Sequence, residues 1–171
     1  MRAVGFKEFG DPEVLEVMDI PEVYASQGEI RIKNYASAVN PTDIVSRSGL
    51  IAQFRKDYPL PAVPGMDISG IVDQVGEGVE TGVSIGDQVM GMVIPNALHG
   101  AYSEQITLNQ FAVVKAPKGF SFVESATLPM NGLTARLSLD LLNLTKGQVV
   151  AVTGGPGAYG GYVIQLAKAD G

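Results

Sequence analysis

The period of the apolar pattern changes once along this chain, near residue 120, and that change limits what the chain can fold into. Before it, apolar and polar residues alternate in short runs punctuated by glycine and proline. "RAVGFKEFG" ends in the turn Gly10-Asp11-Pro12, and "VLEVMDIPE" alternates as far as Pro21. "EIRIKNYASAVN" alternates again, with Ile30, Ile32, Tyr35 and Val39 predicted to point inward after one slip of phase. "MDISGIVDQVG", "DQVMGMVI", "AYSEQITL" and "FAVVKAP" read as further strands. Alternation with frequent turn residues marks half-buried antiparallel strands, so this part is predicted to be a small β-barrel or sandwich.

After it the pattern is helical. In "SFVESATLPMNGLTARLSLDLLNL", Ser121 and Glu124 stand at capping-box spacing, and Pro129 interrupts the run. Leu133, Leu137, Leu141 and Leu144 then recur on one helical face, the pattern of a core-facing stripe. "TKGQVVAVTGG" reads as a turn and a buried parallel strand over 149–153, and "GGYVIQLAKADG" as a closing helix.

Absences exclude whole classes of chemistry. The 171 residues contain no cysteine, so disulfides, thiolate zinc sites and cysteine nucleophiles are impossible within them. The single histidine, His99, excludes a histidine-pair metal site and reads as an exposed loop residue. No metal site is predicted. A net charge of −6 argues against nucleic acid and anionic membrane surfaces as partners. No apolar run approaches the roughly 20 residues that span a bilayer. A cytoplasmic protein is the expectation.

The sharpest motif is Gly155-x-Gly157-x-x-Gly160, placed between the predicted strand and the last helix. In a dinucleotide fold such glycines supply a tight turn, let backbone approach the pyrophosphate, and pack helix on strand. The N–H groups of Ala158, Tyr159 and Gly160 would then face the phosphates. A tight βα turn that binds nothing has the same sequence. A dinucleotide domain needs several parallel strands and, about 20 residues on, a residue that selects the cofactor. The sequence stops at Gly171, which predicts a chain cut inside its cofactor domain. A complete protein using the βα unit to dock on a partner is the alternative.

The linked motifs resemble a known family from end to end. They are "NPTD" at 40–43, "PAVPGMDISGIVDQVGEGV" at 61–79, "GDQVMGM" at 86–92 and "GAYSEQITL" at 100–108, then "LPMNGLTA" at 128–135 and "GGPGAYGGYVIQLAK" at 154–168. In this order the chain resembles the N-terminal half of a medium-chain dehydrogenase/reductase, in the zinc-free quinone oxidoreductase (zeta-crystallin-like) branch. The resemblance implies a mostly β, GroES-like barrel over 1–123, followed by the truncated start of an α/β Rossmann domain over 124–171. It also implies NADPH as cofactor, with NADH as the alternative, and a homodimeric parent protein. The zinc-dependent members carry a Cys where this chain has Asn40 and a Gly-His-Glu near Gly65-Met66-Asp67. No zinc is therefore expected here, and the metal-polarised route is excluded by residue type.

The resemblance places Asn40 and Thr134 near the nicotinamide, where an amide and a hydroxyl could orient the ring for hydride transfer. These two are the candidate catalytic residues. With Gly155, Gly157, Ala158, Tyr159 and Gly160 they form the candidate cofactor set. Read without the resemblance, Asn40 starts a turn with Asp43 as a local cap, and Thr134 is helix surface. Asp67 is expected to bond to backbone in its own turn, and Arg47 to be a solvated surface residue. Quinone oxidoreductases often carry tyrosines where this chain has Val45 and Ile51, with Tyr58 as a possible replacement. That aliphatic lining leaves quinones, enones, alkenals and enoyl thioesters open as substrates. A non-catalytic interaction module is the rival from another class.

Overall fold

The computed structural model describes residues 1–54 and 57–171. Two strands, β1 (Arg2–Gly5) and β2 (Glu16–Asp19), form an antiparallel ribbon. Five more form an antiparallel sheet: β3 (Glu29–Ala36), β4 (Asp67–Val75), β5 (Gln88–Met92), β6 (Gln105–Asn109) and β7 (Val113–Lys115). Their spatial order is β6-β3-β4-β5-β7. The ribbon is tied to the chain ahead of the sheet's last strands, Val4 N–H donating to the Tyr102 carbonyl at 2.8 Å. Phe6 and Ala62 exchange two backbone hydrogen bonds of 2.9 Å each.

The core follows from the alternation. Ile30, Ile32, Ile68, Val72, Val89, Ile106 and Leu108 face one interior from four adjacent strands. The inward reading of Ile30 and Ile32 holds, and that of Tyr35 and Val39 fails: these two are 54% and 75% exposed. The expected slip of phase does not occur: β3 keeps two-residue alternation to its end, and Tyr35 stays on the outward side with Lys33. The register shift at Arg31/Ile32 places its extra residue, Asp73, on β4. Tyr35 instead lies flat against Phe122, ring centroids 4.6 Å apart.

The helical part comprises α2 (Phe122–Ala126), α3 (Pro129–Leu142) and α4 (Ala158–Asp170), and a shorter helix α1 (Pro41–Arg47) follows β3. The Ser121–Glu124 capping box is formed, and α3 restarts at Pro129. Packing between α3 and α4 uses Ala135, Leu139 and Val163. The predicted leucine stripe is therefore corrected: Leu133, Leu137, Leu141 and Leu144 are all exposed. The buried face is offset by about half a turn, because the small Ala135 lets α4 approach there. Residues 149–153 are also corrected. They pair with no strand among the described residues, and Val149 is 97% exposed.

Candidate functional site

The site is built where the chain leaves β3. Asn40 ends the extended backbone and Pro41 opens α1, a position where the fixed ring φ suits the first helical turn. The Asp43 carboxylate accepts the Asn40 backbone N–H at 2.8 Å, as the local-cap reading expects. Asp43 reaches further than its own helix. It also accepts the Gly65 N–H at 2.9 Å and the Tyr102 hydroxyl at 3.1 Å. Gly65 has φ +101°, and a Cβ there would lie 2.5 Å from the Tyr102 ring, so glycine is required on both counts.

That turn delivers Asp67 to the start of β4, fully buried. Asp67 is not bonded within its own turn, which corrects the sequence reading. Its Oδ2 accepts from Asn40 Nδ2 at 2.6 Å, and its Oδ1 accepts the Met130 backbone N–H at 2.6 Å. Met130 is in the first turn of α3, where backbone N–H groups lack intrahelical partners and a carboxylate is favoured. Asn131, the next residue, donates from Nδ2 to Asn40 Oδ1 at 3.1 Å. Asn40 (3% exposed) thus bridges the sheet and α3.

Burial raises the Asp67 pKa, and the nearby Asp43 charge adds to the rise. The bonds from Met130 and Asn40 oppose it. Burial and Asp43 likewise push the Tyr102 phenol far up, so it keeps its proton and serves as a donor to Asp43. Neither Tyr102 nor the Asp67–Met130 bond was signalled by the sequence. The partners are about 60 residues apart in the chain, and no spacing rule links them.

Thr134 is exposed on α3, one turn beyond Met130 and Asn131, and its hydroxyl donates to the Met130 carbonyl at 2.6 Å. Asn40 and Thr134 are thereby attached to the same helix, through Asn131. The glycine turn sits apart from them at the start of α4. Gly157 is the N-cap and has no side chain to cap with, while Ala158 and Tyr159 are exposed. Gly160 is buried against the turn, where a Cβ would lie 2.3 Å from the Gly154 carbonyl oxygen. Gly155 is half-buried beneath Ile164.

Other predicted residues resolve as structure. Arg47 donates to the Gly10 carbonyl and is partly buried, not solvated. Tyr58 packs on Phe9, ring centroids 6.1 Å apart, and Phe9 on Phe6. His99 is half-buried, not exposed, and burial lowers its pKa. Val45 and Ile51 lie in α1 and in the short 3-10 turn Leu50–Gln53, both half-buried. No group of three or more His, Cys, Asp or Glu side chains suited to a metal occurs among the described residues. A cleft of about 480 Å³ lies between α3, α4 and the segment joining them, away from Asn40 and Asp67.

A buried amide–carboxylate knot thus ties the antiparallel β unit to the helix that follows it. Residues 26–129 match the alcohol dehydrogenase GroES-like domain, and the chain belongs to that family, within the medium-chain dehydrogenase/reductase superfamily. It is similar to the 2-methylene-furan-3-one reductase of Solanum lycopersicum, 35% identical over 98% of this chain and 44% of that protein. It is also similar to the quinone oxidoreductase structure from Coxiella burnetii, with a TM-score of 0.87 and 36% identity over all of this chain and 54% of that one. A mycobacterial relative whose structure is complexed with NADPH is 32% identical, with a TM-score of 0.83 over all of this chain and 51% of that one. The chain spans about half the length of the relatives it matches. No helix among the described residues is long and apolar enough to cross a membrane.

Proposed function

We propose that this chain is the N-terminal portion of a zinc-independent, NADPH-dependent oxidoreductase that reduces quinones or α,β-unsaturated carbonyls. The observation that carries the reading is the 3.1 Å bond between Asn40 and Asn131. It ties the amide expected beside the nicotinamide to the helix that bears Thr134. Residues 1–123 form the GroES-like unit in this reading, and 124–171 open the nucleotide-binding domain. The relatives support it by name: one reduces a 2-methylene-furan-3-one, one is a quinone oxidoreductase, and one holds NADPH.

The residues present suit a dinucleotide. Gly157 leaves the first turn of α4 without a side-chain cap, and Gly160 lets that helix close onto the turn behind it. Gly155, Gly157, Ala158, Tyr159 and Gly160 would hold the pyrophosphate. NADPH, when bound, supplies the hydride. Thr134 donates its proton to the Met130 carbonyl, so its oxygen offers an acceptor to a carboxamide N–H. Asn40 uses one N–H on Asp67 and takes one hydrogen bond from Asn131. An amide has two of each, so a carboxamide could share its remaining pair. The half-buried aliphatic side chains of Val45 and Ile51 suit an alkenal or enone as well as a quinone. A homodimeric, cytoplasmic parent accords with this reading.

The test is NADPH consumption by the full-length parent with EDTA present, over a panel of quinones, enones and an enoyl thioester. Turnover of a quinone or enone, unaffected by EDTA, is the expected result. Preference for the enoyl thioester would move the assignment to the enoyl-reductase alternative. Absence of NADPH binding by the full-length parent in calorimetry would return the chain to the interaction-module reading. By itself the 171-residue chain is expected to bind NADPH weakly or not at all, and to turn nothing over.

A further inference from the structure

We propose that Asp67 is a positioning residue that dictates which way the Asn40 amide points and clamps it to the start of α3. The argument rests on donor and acceptor identity. An ionised carboxylate has only acceptors to offer. One Asp67 oxygen is met by the Met130 backbone N–H at 2.6 Å, and a backbone N–H can only donate. The other is met by the Asn40 side chain at 2.6 Å, so the edge of the amide that faces it must be Nδ2. An asparagine oxygen and nitrogen are interchangeable in shape, and only the partners decide between them. With Nδ2 committed to Asp67, Oδ1 is turned toward α3, where Asn131 Nδ2 donates at 3.1 Å. The order Asp67, Asn40, Asn131 is therefore a polarised relay whose direction is set at the carboxylate.

The backbone of Asn40 is fixed separately. Its N–H goes to Asp43, which belongs to α1 and also holds Gly65 and Tyr102. Side-chain direction and backbone position are thus set by two different carboxylates, and they can be disturbed one at a time. For hydride transfer the consequence rests on the proposed function: a reversed amide would offer an acceptor where a donor is needed. The clamp itself requires no cofactor.

The experiment uses the 171-residue chain and amide hydrogen exchange by nuclear magnetic resonance. In the unaltered protein the Asn40 side-chain NH2 should exchange at least about tenfold more slowly than that of the exposed Asn143. Asp67→Asn keeps the shape but presents a second donor. In that variant the Asn40 NH2 should lose its protection and shift in resonance, while the Asn40 backbone N–H on Asp43 keeps its own. Equal exchange at Asn40 and Asn143 in the unaltered chain would overturn the clamp, and it needs no variant to fold. Unchanged Asn40 side-chain resonances in a folded Asp67→Asn chain would overturn it too. Neither readout involves NADPH, so a failure of cofactor binding leaves this result standing.

Discussion

At the scale of single residues, the buried acid Asp67 has the clearest consequence for stability. Its folded-state pKa is raised, chiefly by burial, so the unfolded chain ionises first as pH rises. Between the ordinary carboxylate range and the raised value, the folded state keeps a proton that the unfolded state has released. Stability contributed by this group is present at low pH and is lost as pH climbs through that window. The groups around it that could blur the effect are Asp43, whose charge raises it, and Tyr102, which stays protonated. Met130 and Asn131 on α3 are uncharged. Urea unfolding of the unaltered chain and of Asp67→Asn should therefore differ by an amount that is steady below the ordinary carboxylate range and changes as pH rises above it. A constant difference at every pH would contradict the raised pKa. Gly65 provides a second test at this scale. Its positive φ and the Tyr102 ring 2.5 Å from a would-be Cβ make Gly65→Ala costly, by roughly 2 kcal/mol or more. A shift of the urea midpoint within error of zero would show that the turn can relax.

At the scale of elements, the two helical faces of α3 make opposite predictions. Leu139 is buried between α3 and α4, and Leu139→Ala should cost about 2–4 kcal/mol in urea unfolding. Leu141 is 87% exposed on the same helix, and Leu141→Gln should move stability by less than about 0.5 kcal/mol. Sequence periodicity alone gave the helix and the wrong face. A leucine every turn marks a stripe, but Ala135, which no hydrophobicity count favours, is what allows α4 to come close. Strand reading fared better, because Ile30, Ile32, Ile68 and Val72 obey two-residue alternation. Tyr35 keeps the outward phase of Lys33, so the slip of phase expected there does not occur. The capping signals were legible because each is complete within four residues: Ser121 with Glu124, Asn40 with Asp43. The knot on Asp67 was not, since Asn40, Asp67 and Met130 meet only through the fold. The extended run at 149–153 was legible as apolar and uninterrupted, yet a strand also needs a neighbour to pair with. None pairs with it among the described residues.

At the scale of the whole molecule, two surface properties oppose each other. Leu133, Leu137 and Leu141 recur on the exposed face of α3, and Leu144, Val149 and Ile164 are exposed elsewhere in the helical part. Exposed apolar surface of this kind drives association in water. The net charge of −6 on 171 residues resists it, because like-charged copies repel. Salt separates the two forces: it screens charge over about 8 Å at physiological strength and leaves apolar burial intact. The chain should therefore be more monomeric at low ionic strength and shift toward larger species as salt and concentration rise, measurable by sedimentation velocity. Leu137→Glu combined with Leu141→Glu should abolish that shift, because it places charge in the middle of the apolar face. Both side chains are already more than half exposed, so the double variant should unfold at nearly the same urea concentration as the unaltered chain. If association persists in it, the exposed edges of the sheet, β6 and β7, become the joining surface. A chain that stays monomeric at high salt would mean that the leucine face is too small or too interrupted to hold two copies together.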